Sequence, residues 1–454
     1  MRLPAPRVAL IALIVALLAG GLAAIVIRAG GSESKVASRA PTTTSTLPTT
    51  TVPGTSTTAA PAPATTQPVP PALAALFAQI QDQVAQARGL PWLGPLDISV
   101  APDAEFIRQF TAVTQRDLHP DRIRGDEQTY KLLKLIPENT DYLKAYLDLL
   151  NGAVLGFYDP KTTKLLVRAG GTPTPYQRIT IAHEMDHALT DQHFKFGPAT
   201  YALDAADKQE QGSAYSGLLE GDAKTLEALW AGKFLSAADR QKAANEANSS
   251  AGASAILKAP KFLLDQLYFP YTDGKDFVVS RYRSGGWTSV NAAYGRPPDS
   301  TQVVIHPDLY NAGKAWATPG LPDVAAATGC PLVRANTLGE FNMTELLDKY
   351  LDPTTAGDAA DGWNGDAFAT VRCGSARGFA DRWTAPDTAS AGKLASALSS
   401  WAADWSGAHS RPASDGRFSG PSGAGRIVVS DTRVDLILAD DAPTADKVNS
   451  ALGD

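Results

Sequence analysis

Residues 179–189 read ITIAHEMDHAL and follow a Thr-Pro pair at 174–175 that is typical of the first turn of a helix. At about 100° per residue, His183 and His187 are only about 40° apart, so both imidazoles project from one helix face. Two imidazoles one turn apart can hold one Zn²⁺, and Glu184, about 100° round from His183, can act as general base on a water at the metal. The segment therefore predicts a helix with two metal ligands and a catalytic base. An exposed helix that carries charged side chains is the alternative.

Two residues compete for the place of the third ligand. His193 has the spacing of the metzincin class, which needs a glycine midway so that the chain can turn back, but Thr190 stands there. In a continuing helix His193 points about 120° away from His187, so we expect it to be structural. Glu220 is the better candidate, because apolar residues on both sides mark a second buried helix and a glutamate on such a helix completes the site in the gluzincin class. A solvated carboxylate is the alternative. Asp191 and Asp222 are expected to orient ligand side chains.

The run HEMDHALTDQHF at 183–194, followed by LLEGDA at 218–223, resembles a group of bacterial and archaeal membrane-associated metallopeptidase-like proteins. They share the gluzincin plan, of which thermolysin is the best-known member. The resemblance implies a Zn²⁺-dependent peptidase whose metal ligands are His183, His187 and Glu220. Further matching stretches cover most of the chain after residue 72: GFYD at 156–159, FPY at 269–271, GW at 286–287, PPDSTQ at 297–302, IHP at 305–307 and GWNGD at 362–366. Met185-Asp186 departs from the apolar–Thr pair expected inside the motif, and neither side chain is needed to bind metal.

The same resemblance implies where a peptide and its oxyanion would lie. In gluzincins the strand before the motif helix is an edge strand on which an extended peptide docks, and residues 164–168 fit that place. A downstream group then stabilises the oxyanion. His306 is the only downstream histidine in a motif-like setting, and a structural histidine before a proline is the equal alternative. The phenolic alternatives are Tyr158, Tyr271 and Tyr310.

The N-terminus predicts a membrane anchor. Residues 8–27 are uncharged and mostly aliphatic, and as a helix they would reach about 30 Å, the thickness of a bilayer's hydrocarbon core. Residues 28–72 are largely Thr, Pro, Ala and Ser, a composition typical of an extended stalk. We therefore expect a short cytoplasmic tail at 1–7, a single-pass anchor and an extracytoplasmic domain. A cleaved signal peptide is the alternative.

Residues 73–454 are expected to form one α+β metallopeptidase domain, mainly helical, with a small mixed sheet beside the motif helix. Predicted strands lie at 96–100, 155–159, 164–168 and in a hairpin at 426–439, and predicted helices include 73–88, 140–150 and 444–452. The net charge of −6 argues against a nucleic-acid partner. The two cysteines, Cys330 and Cys373, exclude a cysteine-based metal site and leave one disulfide open.

The function predicted from the sequence is hydrolysis of peptide bonds in a peptide or protein substrate, with Zn²⁺ as cofactor, Glu184 as base and His306 as a candidate oxyanion donor. Two alternatives remain open at this point. One is a catalytically silent protein that binds cell-envelope partners through its cleft. The other is a zinc hydrolase that cleaves peptidoglycan stem peptides.

Overall fold

The computed structural model describes residues 69–168, 171–249 and 259–453, which form an α+β fold of many helices and two sheets. The predicted anchor at 8–27 and nearly all of the predicted stalk lie outside the described residues. The first helix begins at Pro71, two residues before its predicted start at residue 73. Within the described part of the chain, no helix is both long and apolar enough to cross a bilayer.

The first sheet has three strands: β1 (Asp97–Ala101), β2 (Gly156–Asp159) and β3 (Lys164–Arg168). Their order is β1-β3-β2, with β1 parallel and β2 antiparallel to β3, so the predicted small mixed sheet is present. The prediction that Lys164–Arg168 is an edge strand is wrong, because β1 pairs along its outer side and makes it the central strand. The edge beside the motif helix is β2.

Helices cover this sheet and form most of the described residues before residue 321. In chain order they are α1 (Pro71–Arg88), α2 (Asp103–Asp117), α3 (Pro120–Leu132), α4 (Tyr142–Ala153), α5 (Pro175–Phe194), α6 (Phe196–Ala205), α7 (Gln209–Phe234), α8 (Ala237–Ser249), α9 (Lys261–Gly295, interrupted at 285–286), α10 (Thr301–Ile305) and α11 (Pro307–Asn311). The helices predicted at 73–88 and 140–150 correspond to α1 and α4.

The motif helix α5 starts where the sequence predicts. The Thr174 hydroxyl accepts the Gln177 N–H, the Gln177 side chain accepts the Thr174 N–H, and Pro175 occupies the first turn. This capping box satisfies N–H groups that would otherwise lack partners at the helix start. Residues 179–191 are all buried, because α5 packs between the sheet and α7.

Helices α7 and α9 cross at a contact that only glycine permits. A Cβ on Gly221 would lie 2.1 Å from the carbonyl oxygen of Gly274, and a Cβ on Gly274 would lie 2.3 Å from the carbonyl oxygen of Gly217. Backbone therefore meets backbone at this crossing. Since Glu220 directly precedes Gly221 and Tyr271 lies one turn before Gly274, the crossing brings these two side chains together.

The second sheet has six antiparallel strands: β4 (Leu332–Asn336), β5 (Asp366–Cys373), β6 (Ala376–Thr384), β7 (Arg417–Gly420), β8 (Gly423–Ser430) and β9 (Arg433–Ala439). Their order in the sheet is β4-β5-β6-β9-β8-β7. The predicted hairpin at 426–439 is its β8–β9 pair, whereas the other four strands were not predicted. Cys330 and Cys373 form a disulfide, and Cys373 is the last residue of β5. The remaining elements are the helices α12 (Val324–Thr328), α13 (Gly339–Asp348), α14 (Pro353–Ala360), α15 (Thr388–Ser406) and α16 (Ala442–Ala451).

Candidate metal centre

Three side chains from two helices meet at one buried point. His183 and His187 come from α5 and Glu220 comes from α7, and all three residues are buried. The Nε2 atoms of the two histidines are 3.1 Å apart. The Oε2 atom of Glu220 lies 3.1 Å from Nε2 of His183 and 3.4 Å from Nε2 of His187. The structure therefore brings together the three residues that the sequence proposed as ligands.

The spacing of these three atoms fits a tetrahedral zinc ion. Ligands about 2.0–2.2 Å from zinc in a tetrahedron lie about 3.3–3.6 Å from one another, close to the separations in this triangle. Two nitrogens and one carboxylate oxygen are also a common donor set for catalytic zinc, which keeps a fourth position for water or substrate. The residues present therefore fit a zinc ion.

A further carboxylate fixes the orientation of the first imidazole. Oε1 of Glu227 lies 2.8 Å from Nδ1 of His183. Because an ionised carboxylate can only accept, Nδ1 carries a proton, and Nε2 is the ring nitrogen that faces Glu220 and could bind a metal. Asp191 and Asp222 were expected in this role, and that expectation is wrong. Glu227 could have been found from its spacing, since it lies two helical turns after Glu220 on the same face of α7.

The electrostatics of the group favour positive charge. Burial by itself lowers the pKa of His183, but hydrogen bonds with Glu220 and Glu227 raise it to about 10. Burial lowers the pKa of His187. Burial would raise the pKa of Glu220, yet the two imidazoles hold it well below its ordinary value. The carboxylates thus stabilise a cation at the point where the three ligand atoms meet.

Glu184 lies beside this group with one oxygen held and one without a partner. Its Oε2 accepts the backbone N–H of Tyr158 at 2.8 Å, which ties it to strand β2. Its Oε1 is buried and has no hydrogen-bond partner among the described residues. Burial raises the pKa of Glu184 to about 8, and a cation at the neighbouring ligands would act in the opposite direction. A buried carboxylate with one unpartnered oxygen is suited to receive a proton.

Of the phenolic alternatives, Tyr271 is the one that lies in the site. Its ring stacks on His183 with centroids 6.3 Å apart. Burial and the carboxylates of Glu220 and Glu184 raise the pKa of Tyr271 well above its ordinary value, so the phenol keeps its proton. The other two phenols are engaged elsewhere, since Tyr158 donates to Asp191 and Tyr310 to the backbone of Arg296.

His306 is placed in a second group, apart from the three ligands. Its Nε2 lies 2.6 Å from Oε1 of Glu340 and 3.4 Å from Oδ1 of Asp361. These two carboxylates raise the pKa of His306 to about 10, although its partial burial acts in the opposite direction. The expected oxyanion role does not fit these contacts, because the ring nitrogen that would donate is engaged with two carboxylates.

The other residues singled out from the sequence have structural contacts. Nε2 of His193 lies 2.7 Å from the carbonyl oxygen of Pro91 at the end of α5, as expected for a residue that is not a ligand. Asp191 accepts the Tyr158 hydroxyl and the Gly197 N–H, so it supports β2 and the turn after α5. Asp222 pairs with a residue of α1.

That residue is Arg88, which is fully buried. Its guanidinium donates to both carboxylate oxygens of Asp222, at 3.1 and 2.8 Å, and lies 3.7 Å from Asp186. Tyr294 donates to Asp222 as well, and the guanidinium stacks 4.1 Å from the Trp287 ring. Asp186 adjoins His187 and Asp222 follows Glu220 by two residues, so Arg88 links the two ligand-bearing helices. Sequence reasoning gave Asp186 no role, because its partner is almost one hundred residues away.

Comparison with known proteins gives one match. The family described as a domain of unknown function (DUF8575) matches residues 331–450. This region comprises the second sheet and its helices and contains none of the three candidate ligands or Glu184. No curated protein and no solved structure matches the chain.

Proposed function

We propose that this protein is a zinc-dependent peptidase, held at the membrane by residues 8–27 with its catalytic domain outside the cell. The observation that carries the proposal is the buried triangle of His183, His187 and Glu220 with Glu184 beside it. A site that only stored or bound metal has no physical need for an adjacent buried carboxylate with an unpartnered oxygen. The membrane location rests on the apolar N-terminal run alone.

In the proposed reaction, the three metal ligands, Glu184 and Tyr158 have different roles. Zinc held by the three ligands would supply a Lewis acid that polarises the scissile carbonyl and acidifies a water molecule. Glu184 takes the proton of the attacking water on Oε1 and passes it to the leaving amine. The Tyr158 N–H holds the other oxygen of Glu184, so the carboxylate keeps its direction through both proton transfers.

Tyr271 replaces His306 as the residue that stabilises the oxyanion. It presents a protonated phenol next to Glu220 and His183, which is where negative charge on the tetrahedral carbon's oxygen would develop. The phenol hydrogen-bonds with Glu220, and in the proposed reaction it would donate to the developing oxyanion instead, without bringing a second positive charge into the site.

The peptide would dock along β2. In the antiparallel pair of β2 and β3, the Arg168 N–H donates to the Leu155 carbonyl. Backbone groups alternate in direction along a strand, so those of Phe157 also point to β3, while the N–H and C=O groups of Gly156 and Tyr158 point away from it. The Tyr158 N–H is taken by Glu184. The outward carbonyl groups of Gly156 and Tyr158 therefore offer acceptors for an extended chain beside the catalytic base.

The decisive experiment separates metal binding from proton transfer with the substitution Glu184→Gln. The amide keeps the shape of the side chain and can still accept the Tyr158 N–H, but it cannot take a proton from water. Zinc content should stay at the wild-type level, while turnover of a broad peptide library should fall about 10²–10⁴-fold. Both quantities are measured on the same preparations.

Glu210→Gln is the matched control. Glu210 is also a buried glutamate whose pKa burial raises to about 8, but it binds Thr301 and lies outside the site. This variant should keep both zinc and turnover. Wild-type turnover in Glu184→Gln would exclude the mechanism. A wild-type protein that binds zinc and cleaves nothing in the library would favour a silent binding protein, and cleavage of stem peptides alone would favour the cell-wall enzyme.

A further inference from the structure

Arg88 is the last residue of helix α1, and it is buried although it carries a charge. Ile80 and Val84 precede it at a spacing of four residues, so all three lie on one face of α1. Ile80 and Val84 belong to the apolar cluster that also contains Met185 of α5 and Leu226 of α7. Helix α1 therefore packs against both ligand-bearing helices and brings the guanidinium to them.

The guanidinium contacts two buried carboxylates that belong to different helices. Asp222 of α7 accepts two hydrogen bonds from it, and Asp186 of α5 lies 3.7 Å from its Nε. Burial and the neighbouring Asp222 carboxylate raise the pKa of Asp186 well above its ordinary value, and Arg88 acts in the opposite direction. Two buried carboxylates near one another repel, and removal of the cation that they share is strongly unfavourable. Arg88 thus replaces a repulsion between α5 and α7 by an attraction to one common partner.

The second half of helix α9 holds the guanidinium in place. The interruption of α9 at 285–286 is followed directly by Trp287. The Trp287 indole N–H donates to the Ala87 carbonyl at 2.8 Å, and the centre of its ring lies 4.1 Å from the guanidinium carbon. Tyr294, two turns further along α9, donates to Asp222 at 2.7 Å. A guanidinium that stacks on a ring and donates two hydrogen bonds to one carboxylate has little freedom to move.

Both carboxylates are close in the chain to candidate metal ligands. Asp186 is joined to His187 by a peptide bond, and Asp222 follows Glu220 by two residues. Distances from zinc to its ligands vary by only about 0.2 Å. A small shift of α5 against α7 would therefore move His187 and Glu220 out of range of one ion. The relative position of the two helices is a condition for binding zinc.

We propose that Arg88 is a positioning residue of the metal centre and holds α5 and α7 at the separation that zinc requires. The proposal rests on the zinc site of the proposed function. The centre then depends on three helices, and α1 contributes no ligand to it. A guanidinium can donate to a carboxylate through two N–H groups and stack on a ring at once, whereas an ammonium acts as a single point charge. We therefore expect lysine to replace Arg88 poorly.

The zinc affinity of Arg88→Lys tests the proposal, because this variant keeps the positive charge and loses the planar guanidinium. Competition with a zinc-selective chelator should show binding weaker by about 10- to 100-fold, the usual effect of altering a group that orients metal ligands. The visible spectrum of the Co²⁺-substituted variant should change as well, since it depends on ligand geometry. Arg382→Lys is the matched control and should change neither quantity. Arg382 is also buried and donates to both oxygens of one carboxylate, that of Asp435 in the second sheet.

A second pair of variants gives an answer if Arg88→Lys does not fold, which circular dichroism shows. Tyr294→Phe removes the hydroxyl that donates to Asp222 and keeps the ring. Its zinc affinity should fall by about 2- to 10-fold, the effect of one hydrogen bond. Tyr142→Phe is the control, because its buried hydroxyl donates to Gln266, away from the metal centre. This control should bind zinc as tightly as the wild type.

The outcomes separate the positioning role from the peptidase function. Wild-type zinc affinity and an unchanged Co²⁺ spectrum in Arg88→Lys would overturn the role, as would an equal loss in Arg382→Lys. If Arg88→Lys is unfolded, equal zinc affinities of Tyr294→Phe and Tyr142→Phe would overturn it too. None of these measurements uses a peptide. If the variants behave as expected and the zinc-loaded wild type cleaves no peptide, the positioning role stands and the peptidase function fails.

Discussion

Among the described residues, two groups of histidine and carboxylate side chains could hold a metal ion, and they differ in burial and in the atoms that face one another. In His183, His187 and Glu220, two ring nitrogens and one oxygen face each other at 3.1–3.4 Å inside the protein. The second group, His306 with Glu340 and Asp361, is also close enough for a metal but is partly exposed.

The two groups differ in the number of ring nitrogens that could bind the same metal ion. One imidazole between carboxylates forms an ordinary charge-assisted hydrogen bond, as the 2.6 Å contact of His306 with Glu340 shows. In the buried triangle, Nδ1 of His183 is bonded to Glu227, and two further ring nitrogens and a carboxylate oxygen face one point, where each could bind the same metal ion. A cation satisfies all three at once. The first group is therefore the better candidate for a metal ion, and the contacts of the second are those of an ordinary charge-assisted hydrogen bond.

The largest effect expected from this contrast is on zinc stoichiometry. Glu220→Ala and His183→Ala should each lower zinc from about one ion per chain to nearly none, because each removes a ligand from the buried triangle. His306→Ala and His193→Ala should leave one ion bound. Elemental analysis of dialysed protein gives the numbers, and circular dichroism confirms that each variant is folded. Loss of zinc from His306→Ala with retention in Glu220→Ala would reverse the comparison.

A smaller effect is expected from the carboxylate that orients the first imidazole. Glu227→Gln should weaken zinc binding about 10- to 100-fold without removing a ligand, because the amide is a poorer acceptor for Nδ1–H of His183. Competition with a zinc-selective chelator measures the change. Glu340→Gln is the control, because it alters the partner of His306 and should leave the zinc affinity unchanged. Equal losses in the two variants would contradict the assignment.

The smallest effect concerns pH and the second group alone. The pKa of His306 is raised to about 10 in the folded protein, against about 6.5 in an unfolded chain. Its charged form therefore stabilises the fold fully below pH 6.5, and this contribution is lost as pH rises towards 10. The difference in unfolding free energy between wild type and His306→Gln should shrink across that window, by about 1 kcal/mol. Denaturant titrations at several pH values measure it, and a difference that does not change with pH would exclude the ion pair.

The parts of the site that were predicted correctly depend on local rules. The helix start at Thr174 and Pro175 and the shared face of His183 and His187 follow from capping chemistry and from the helical period. The strand pair at Gly156–Asp159 and Lys164–Arg168 was equally visible, because a turn separates two short apolar runs. The order of the strands in the sheet could not be predicted, because β1, the parallel partner of β3, lies more than fifty residues upstream.

Most of the second sheet was missed for a different reason. Its strands carry buried charges that break the apolar alternation on which strand prediction depends. Arg382 in β6 donates to both oxygens of Asp435 in β9, and Asp366 in β5 accepts the N–H groups of Leu338 and Gly339. From the sequence alone, such charged residues are predicted to be solvent-exposed, because their buried partners are not known.

The sequence by itself determined which residues could bind zinc and on which helix faces they lie, because helical phase depends only on spacing along one chain segment. Tertiary structure decided which of the candidates meet. The glycine contact of α7 with α9 brought Tyr271, and not His306, next to Glu220, and helix packing paired Glu227 with His183. These choices depend on the distances between helices, and no local pattern encodes a distance between segments that are far apart in the chain.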